Sequence, residues 1–352
     1  MMMYKKCLTL TVLLTCLLCL SANVALGAHE VERVDGGYYT LVDEEGNVLT
    51  KTAHQVYKDD EFIAPDNRRY KVIDVKGDDC LCKYVGQEQM PIIEEADEAT
   101  SIFGLTPVVA RDQGTVGIYS THSDESYVPS DGTESVDGRG GIYKVSQTLR
   151  DKLSSMGINV ILDKTIHNPH DINAYSRSRR TASSLLRRGA LVLVDVHRDA
   201  VPADVYQATV KGQKVTKVKL VVGQQNPHMS ANMEFAKRIK AVLDKEYPGL
   251  SAGIFVGKGN YNQDLTPRAI LIEVGSHTNS KEQALNGVEL FSETIPKVMG
   301  VEDNSDGVQG TPIANIGSGG SQKSDWTAVI WILLGVAVIY GVYVAINKSK
   351  TR

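Results

Sequence analysis

LVLVDVHRDA, residues 191–200, is the stretch whose reading decides the fold. Its near-unbroken apolar start reads as a strand buried on both faces, as in the middle of a parallel sheet. It then turns polar at Asp195, His197, Arg198 and Asp199. In open α/β sheets ligands bind beyond the carboxyl ends of the strands, so chemistry is expected there. Two other strands end the same way. Thr115–Thr121 (TVGIYST) runs into His122, Ser123, Asp124, Glu125 and Ser126, and Ala269–Ile272 runs into Glu273, Val274, Gly275, Ser276 and His277.

Three such ends together define a site. His122, His197 and one carboxylate supply three zinc ligands and leave a fourth position for water, the open arrangement of a catalytic zinc site. Glu273, ending its own strand, suits a general acid–base that takes a proton from water and returns it to a leaving amine. Taken singly, a histidine at a strand end is more often a surface or supporting residue. A serine hydrolase is the weaker reading, because Ser120 and Ser123 lie near His122 but no nucleophile elbow is present.

Working outward, strands alternate with helical stripes. Ile142, Val145, Leu149 and Leu153 mark a helix ending at Gly157. Ile158–Leu162 reads as a strand, Ala174–Arg188 as a basic amphipathic helix, Thr216–Val222 as a strand, and 230–245 and 280–298 as helices. The expected fold is α/β, a mainly parallel sheet flanked by helices over residues 114–300. Before it, residues 28–89 hold short strands around turn signals such as Asp43-Glu44-Glu45-Gly46-Asn47, which suits a small β-barrel-like domain, SH3-like, without a catalytic constellation. Residues 90–113 form a connector whose Glu94, Glu95, Asp97 and Glu98 read as a solvated face. Cys80 and Cys82 share a strand face and are not expected to pair with each other.

The chain is 42% hydrophobic and 23% charged with a formal net charge of -4, a balance that points away from nucleic acid. Lys5 and Lys6 before an apolar run, then small residues to Gly27, read as a signal peptide over residues 1–27. Residues 301–325 are rich in Gly, Ser, Asn and Asp and read as a flexible linker. Trp326–Ile346 is almost wholly apolar, and its 21 residues would span about 31 Å as a helix, so a C-terminal transmembrane helix is expected. Lys348, Lys350 and Arg352 would leave residues 347–352 as a cytoplasmic tail, with the catalytic domain outside the cytoplasm at the cell membrane.

THSDESY (121–127), LDKTIHN (162–168), AYSRSRRT (174–181), DVHRDA (195–200) and LIEVGSHTN (271–279) resemble, in order, the motifs of the stage II sporulation protein P family. That family shares the zinc-dependent N-acetylmuramoyl-L-alanine amidase fold. The resemblance implies a Zn2+ enzyme that cuts peptidoglycan between muramic acid and the stem peptide during septal thinning and engulfment. The family is also credited with endopeptidase cleavage, and with stage II sporulation proteins D and M as partners. By motif, His122 and His197 become zinc ligands and Glu273 the catalytic residue. The carboxylate ligand is assigned by spacing to Glu134, with Glu125 and Asp137 as competitors. Glu125, Arg177, Arg198 and Asp199 are otherwise supporting or substrate residues, as is Arg179, while His167, His170, His228 and His277 are read as non-ligands. The alternative function is a non-catalytic, metal-bearing wall-binding module that recruits other hydrolases.

Overall fold

The computed structural model describes residues 30, 32, 33, 35–92 and 114–299. The strands are β1 (Tyr39–Val42), β2 (Val48–Thr52), β3 (Glu61–Ile63), β4 (Arg68–Lys76), β5 (Asp79–Gln87), β6 (Thr115–Tyr119) and β7 (Asn159–Leu162), followed by β8 (Ala190–Asp199), β9 (Gln207–Val210), β10 (Gln213–Thr216), β11 (Val218–Gly223), β12 (Ser251–Gly257) and β13 (Ala269–Ser276). The helices are α1 (Val128–Asp131), α2 (Ile142–Ser155), α3 (Ala174–Arg187), α4 (Met229–Glu246), α5 (Lys281–Ser292) and α6 (Thr294–Met299). The single helix expected over 280–298 is therefore two, parted at Glu293; Pro296, which has no N–H to donate, falls in the first turn of α6, where none is needed.

Eleven strands form one sheet in the order β2-β1-β5-β4-β3-β12-β11-β13-β8-β6-β7. The expectation of a mainly parallel sheet is corrected here: the sheet is mixed. Parallel pairs run β13–β8–β6–β7, but β11 meets β13 antiparallel, and β3 meets both β12 and β4 antiparallel. One cause is visible in the chain. The β unit at residues 39–87, built from hairpins, adds its β3 to the edge strand β12, where Ile63 lies opposite Ile254 and Phe62 opposite Phe255. What the sequence divides into a small barrel and a larger domain is one hydrogen-bonded surface.

The expected C-terminal transmembrane helix falls outside the described residues. No helix among the described residues is long and apolar enough to cross one. The apolar run Trp326–Ile346, the signal-like residues 1–27, the linker 301–325 and most of the connector 90–113 lie outside the described residues.

Strand alternation sorts the side chains. Val192, Val194 and Val196 of β8 join Val116 and Ile118, Leu220, Ile270 and Ile272, and the apolar faces of α2, α4 and α5 in the main core. Leu193, Asp195, His197 and Asp199, offset by one residue, take the opposite face. There α3 packs Ala182 and Leu185 against Leu193 and Tyr119. Beside it the N-terminal unit packs Tyr39, Leu41, Phe62, Tyr70 and Val72 in one cluster with Phe255, Tyr261 and Leu271. Cys80 and Cys82 are free thiols buried in that cluster, and burial pushes both up to about 12.

Candidate metal and acid–base centre

The site forms where β8, β13 and the segment after β6 converge beneath the N-terminal unit. Parallel register sets Glu273 of β13 opposite His197 of β8, and Tyr119 of β6 opposite Asp195. Thr121 is held by Asp195, which accepts from its N–H at 2.8 Å and from its hydroxyl at 2.5 Å. This anchors the chain where His122 leaves β6. Glu125 follows within the same turn. Its Oε1 lies 3.1 Å from His122 Nδ1 and 3.2 Å from His197 Nδ1, and its Oε2 accepts from the Arg198 N–H at 2.9 Å.

The carboxylate beside the two histidines is thus Glu125. Glu134 is exposed on the surface, and only its backbone carbonyl reaches inward, accepting from the Ser126 N–H at 2.9 Å and from Arg198 at 3.1 Å. The Glu125–Ser135 bridge after α1 fixes the loop in this orientation. Asp137 is exposed and bonded to Asn168. Counting residues to the next helix pointed to Glu134, but the chain doubles back before that helix begins.

Glu32 joins His122, Glu125 and His197 as a fourth group with a ligand atom within 4.8 Å of the others. A second triangle, Glu32, His54 and Glu273, adjoins it under the same limit. His54 follows β2, and its Nε2 lies 2.8 Å from Glu273 Oε1. The histidines, Glu125 and Glu273 are all at most 3% exposed. Several of their polar atoms have no hydrogen-bond partner among the described residues, including Glu32 Oε1, His54 Nδ1, His197 Nε2 and Glu273 Oε2. His197 Nε2 is 3.0 Å from Asp195 Oδ1 without hydrogen-bonding geometry. Buried imidazole and carboxylate atoms left unpaired next to one another are the donor set a divalent cation satisfies, and zinc accepts this mixture of N and O ligands.

The electrostatics follow the packing. Burial raises Glu273 to about 7, and the charges of Asp199 and Glu32 add to this, against the opposing hydrogen bond from His54. Burial also works to raise Glu125, but His197, His122 and Arg198 outweigh it and hold the carboxyl well below its usual range. Burial lowers His122, helped by the neighbouring His170. His170 stacks on His122 with centroids 3.6 Å apart. Despite burial, Asp124 and Glu32 push His170 up to about 10.

The remaining candidates support this frame. Asp199 accepts from Lys219 at 2.9 Å, from the Tyr206 hydroxyl at 2.9 Å and from the Ala53 N–H at 2.9 Å. Arg198 reaches the carbonyls of Ser126 and Glu134. Arg177 donates to the His167 carbonyl at 2.6 Å and to Asp171 at 2.6 Å, which ties down the loop carrying His170. Arg179 is paired with Asp264 at 2.6 and 2.7 Å. His167 bonds the Ser120 carbonyl and Thr181, apart from the centre. Sequence reasoning missed Glu32, His54 and Tyr175, whose ring lies 5.5 Å from His122 and 6.2 Å from His197; His170, read as a non-ligand, belongs to neither cluster and stacks on His122. Tyr175 sits in a quoted motif, but nothing local marks Glu32 or His54.

Among known proteins, stage II sporulation protein P of Bacillus subtilis (strain 168) is 31% identical over 205 residues, 52% of this chain and 51% of that protein. The match spans about half the length of that relative. Among solved structures, the CwlD amidase of Clostridioides difficile in complex with the GerS lipoprotein gives a TM-score of 0.36 at 16% identity, over 53% of this chain and 95% of that one. The amidase Ami1 of Mycobacterium smegmatis gives 0.34 at 16% identity, over 53% and 94%. The family model of stage II sporulation protein P matches residues 42–296, taking in most of the N-terminal β unit as well as His54, His122, Glu125, His197 and Glu273, and the chain belongs to that family.

Proposed function

We propose that the protein is a peptidoglycan hydrolase of sporulation that cuts the amide joining muramic acid to the stem peptide, acting outside the cytoplasm. The observation that carries this reading is the meeting of His122, Glu125 and His197 with Glu273 opposite His197 on the neighbouring strand. His122, Glu125 and His197 would hold zinc, with the carboxylate of Glu32 a fourth group beside them. Zinc bound there supplies a polarised carbonyl and an acidified water. Glu273 takes the proton from the attacking water and delivers it to the departing amine nitrogen, a role suited to a carboxyl raised to about 7. His122 and Glu125 are set by the turn that Asp195 anchors at Thr121, which supports reading them as ligands. By the family resemblance, stage II sporulation proteins D and M are its working partners, and peptide cross-links are a second substrate.

Digestion of purified peptidoglycan, with products read by mass spectrometry, tests the proposal. Free stem peptides with new muramic acid ends are expected. Shortened peptides still joined to sugar would make it an endopeptidase alone. Wall binding without cleavage would make it a recruiting module. Glu273→Gln should lower turnover by roughly 10²–10⁴-fold with zinc retained; undiminished turnover would remove Glu273 from the reaction.

A further inference from the structure

The general-base carboxylate has two oxygens in unequal surroundings. Oε1 lies 2.8 Å from His54 Nε2, whereas Oε2 is buried with no hydrogen-bond partner among the described residues. His54 does not belong to the strands that carry His197 and Glu273; it arrives from the N-terminal segment, where it is bridged to Glu32, 219 residues from Glu273 in sequence. Its place is fixed from several sides. The ring stacks on Phe255 with centroids 6.0 Å apart and meets Tyr261 edge-on at 5.8 Å. The His54 backbone N–H donates to the Thr52 hydroxyl at 3.2 Å, and the preceding Ala53 N–H is held by Asp199. Lys219 takes the Lys51 carbonyl at 2.7 Å. The residue is 1% exposed, so water does not compete for its ring.

We infer that His54 is a positioning residue for the reaction: its Nε2–H holds Glu273 Oε1 and leaves Oε2 to face the water. The inference rests on the reading of Glu273 as the acid–base. A carboxylate on a three-torsion side chain otherwise samples several orientations, and only one presents an unpaired oxygen to the reacting atoms. Anchoring one oxygen removes that freedom without consuming the lone pairs that accept the proton. The N-terminal β unit thereby contributes to the reaction itself as well as to the architecture. The bland alternative is a core histidine that joins two parts of the sheet and happens to touch Glu273.

The test is a double-mutant cycle in the full chain, with a soluble muramyl peptide as substrate and zinc content and melting temperature measured alongside. His54→Phe, which keeps a ring against Phe255, should lower kcat by about 10- to 100-fold while KM and zinc content stay near the parent values. In the Glu273→Gln background the same change should add almost nothing, because His54 acts only through that carboxylate. His54→Gln, whose amide nitrogen falls near the Nε2 position, should recover most of kcat, and His54→Asn, which is too short, should not. Additive losses in the cycle, or equal kcat for the Gln and Asn variants, would overturn the inference while leaving Glu273 in its role. Full activity of Glu273→Gln alone would instead fail the underlying reading. Should His54→Phe not fold, the Gln and Asn pair decides.

Discussion

Lys219 and Asp199 form an ion pair of 2.9 Å in which neither side chain is more than 1% exposed. Lys219 also donates to the Lys51 carbonyl, while the other Asp199 oxygen accepts from Ala53. The pair therefore clamps the stretch that carries His54 onto β8 and β11. Lys219→Met would leave a buried carboxylate without its cation, at a cost of about 3–5 kcal/mol. Urea unfolding should show this loss, and adding Asp199→Leu should restore part of it. A Lys219→Met protein as stable as the parent would mean that the clamp contributes nothing.

Zinc content should separate the two glutamates. Glu125→Gln removes a buried group lying between both histidines and should lose metal and activity together. Glu134→Gln alters an exposed side chain and should leave both near the parent level. Metal analysis after gel filtration reads the difference directly. Retention by Glu125→Gln with loss from Glu134→Gln would reverse the assignment.

Asp60 gives a pH dependence away from the centre. It is fully buried in the N-terminal unit; Oδ2 accepts from the Tyr57 N–H, and Oδ1 has no hydrogen-bond partner among the described residues. Burial raises its carboxyl from 3.8 to about 7. The folded chain then binds a proton more tightly than the unfolded chain. Stability contributed by this group is therefore greatest below pH 4 and falls as pH rises toward 7. A shift of this size corresponds to an effect on the order of 4 kcal/mol at most. Asp60→Asn should raise the melting temperature at pH 8 and have little effect near pH 4. An equal change at both pH values would mean that the carboxyl does not titrate in this window.

Gly275 lies two residues beyond Glu273 at a φ of 75°, and a Cβ there would fall 2.7 Å from Thr216 Cγ2. Gly275→Ala adds roughly 1–2 kcal/mol of left-handed strain to that clash. The end of β13 must shift, so activity should fall more steeply than melting temperature. An alanine variant with normal kcat would show that the turn can absorb the methyl group.

Much of this was legible along the chain because it is written with local periods. The alternation in LVLVDVHRDA sends valines to one core and Asp195, His197 and Asp199 to the opposite face. The stripe of α2 likewise declares its buried side. His122, His197 and Glu273 stood out because polar residues at the ends of apolar strands are locally anomalous. Glu125 over Glu134 was not decidable, since a loop's reversal depends on bonds such as Ser126 to the Glu134 carbonyl that no period encodes. The mixed sheet and His54 were illegible for a related reason. The antiparallel β3–β12 seam and the place of His54 depend on which edge the N-terminal hairpins choose, and Phe62 opposite Phe255 is a pairing across nearly two hundred residues; the antiparallel β11–β13 seam depends on β13 inserting between β11 and β8.

The pairing of β3 with β12 also changes what the connector has to do. Glu61–Ile63 bonds Ile254–Val256 along its length, and Lys240 reaches across to the Pro65 carbonyl and Asn67. Cohesion between the two halves thus comes from strand edges and buried side chains, independent of covalent continuity between residues 92 and 114. A chain nicked in that interval should migrate as a single particle and keep its activity. The same halves made as separate polypeptides should find one another, each shielding an apolar strand edge that would otherwise recruit a neighbouring molecule.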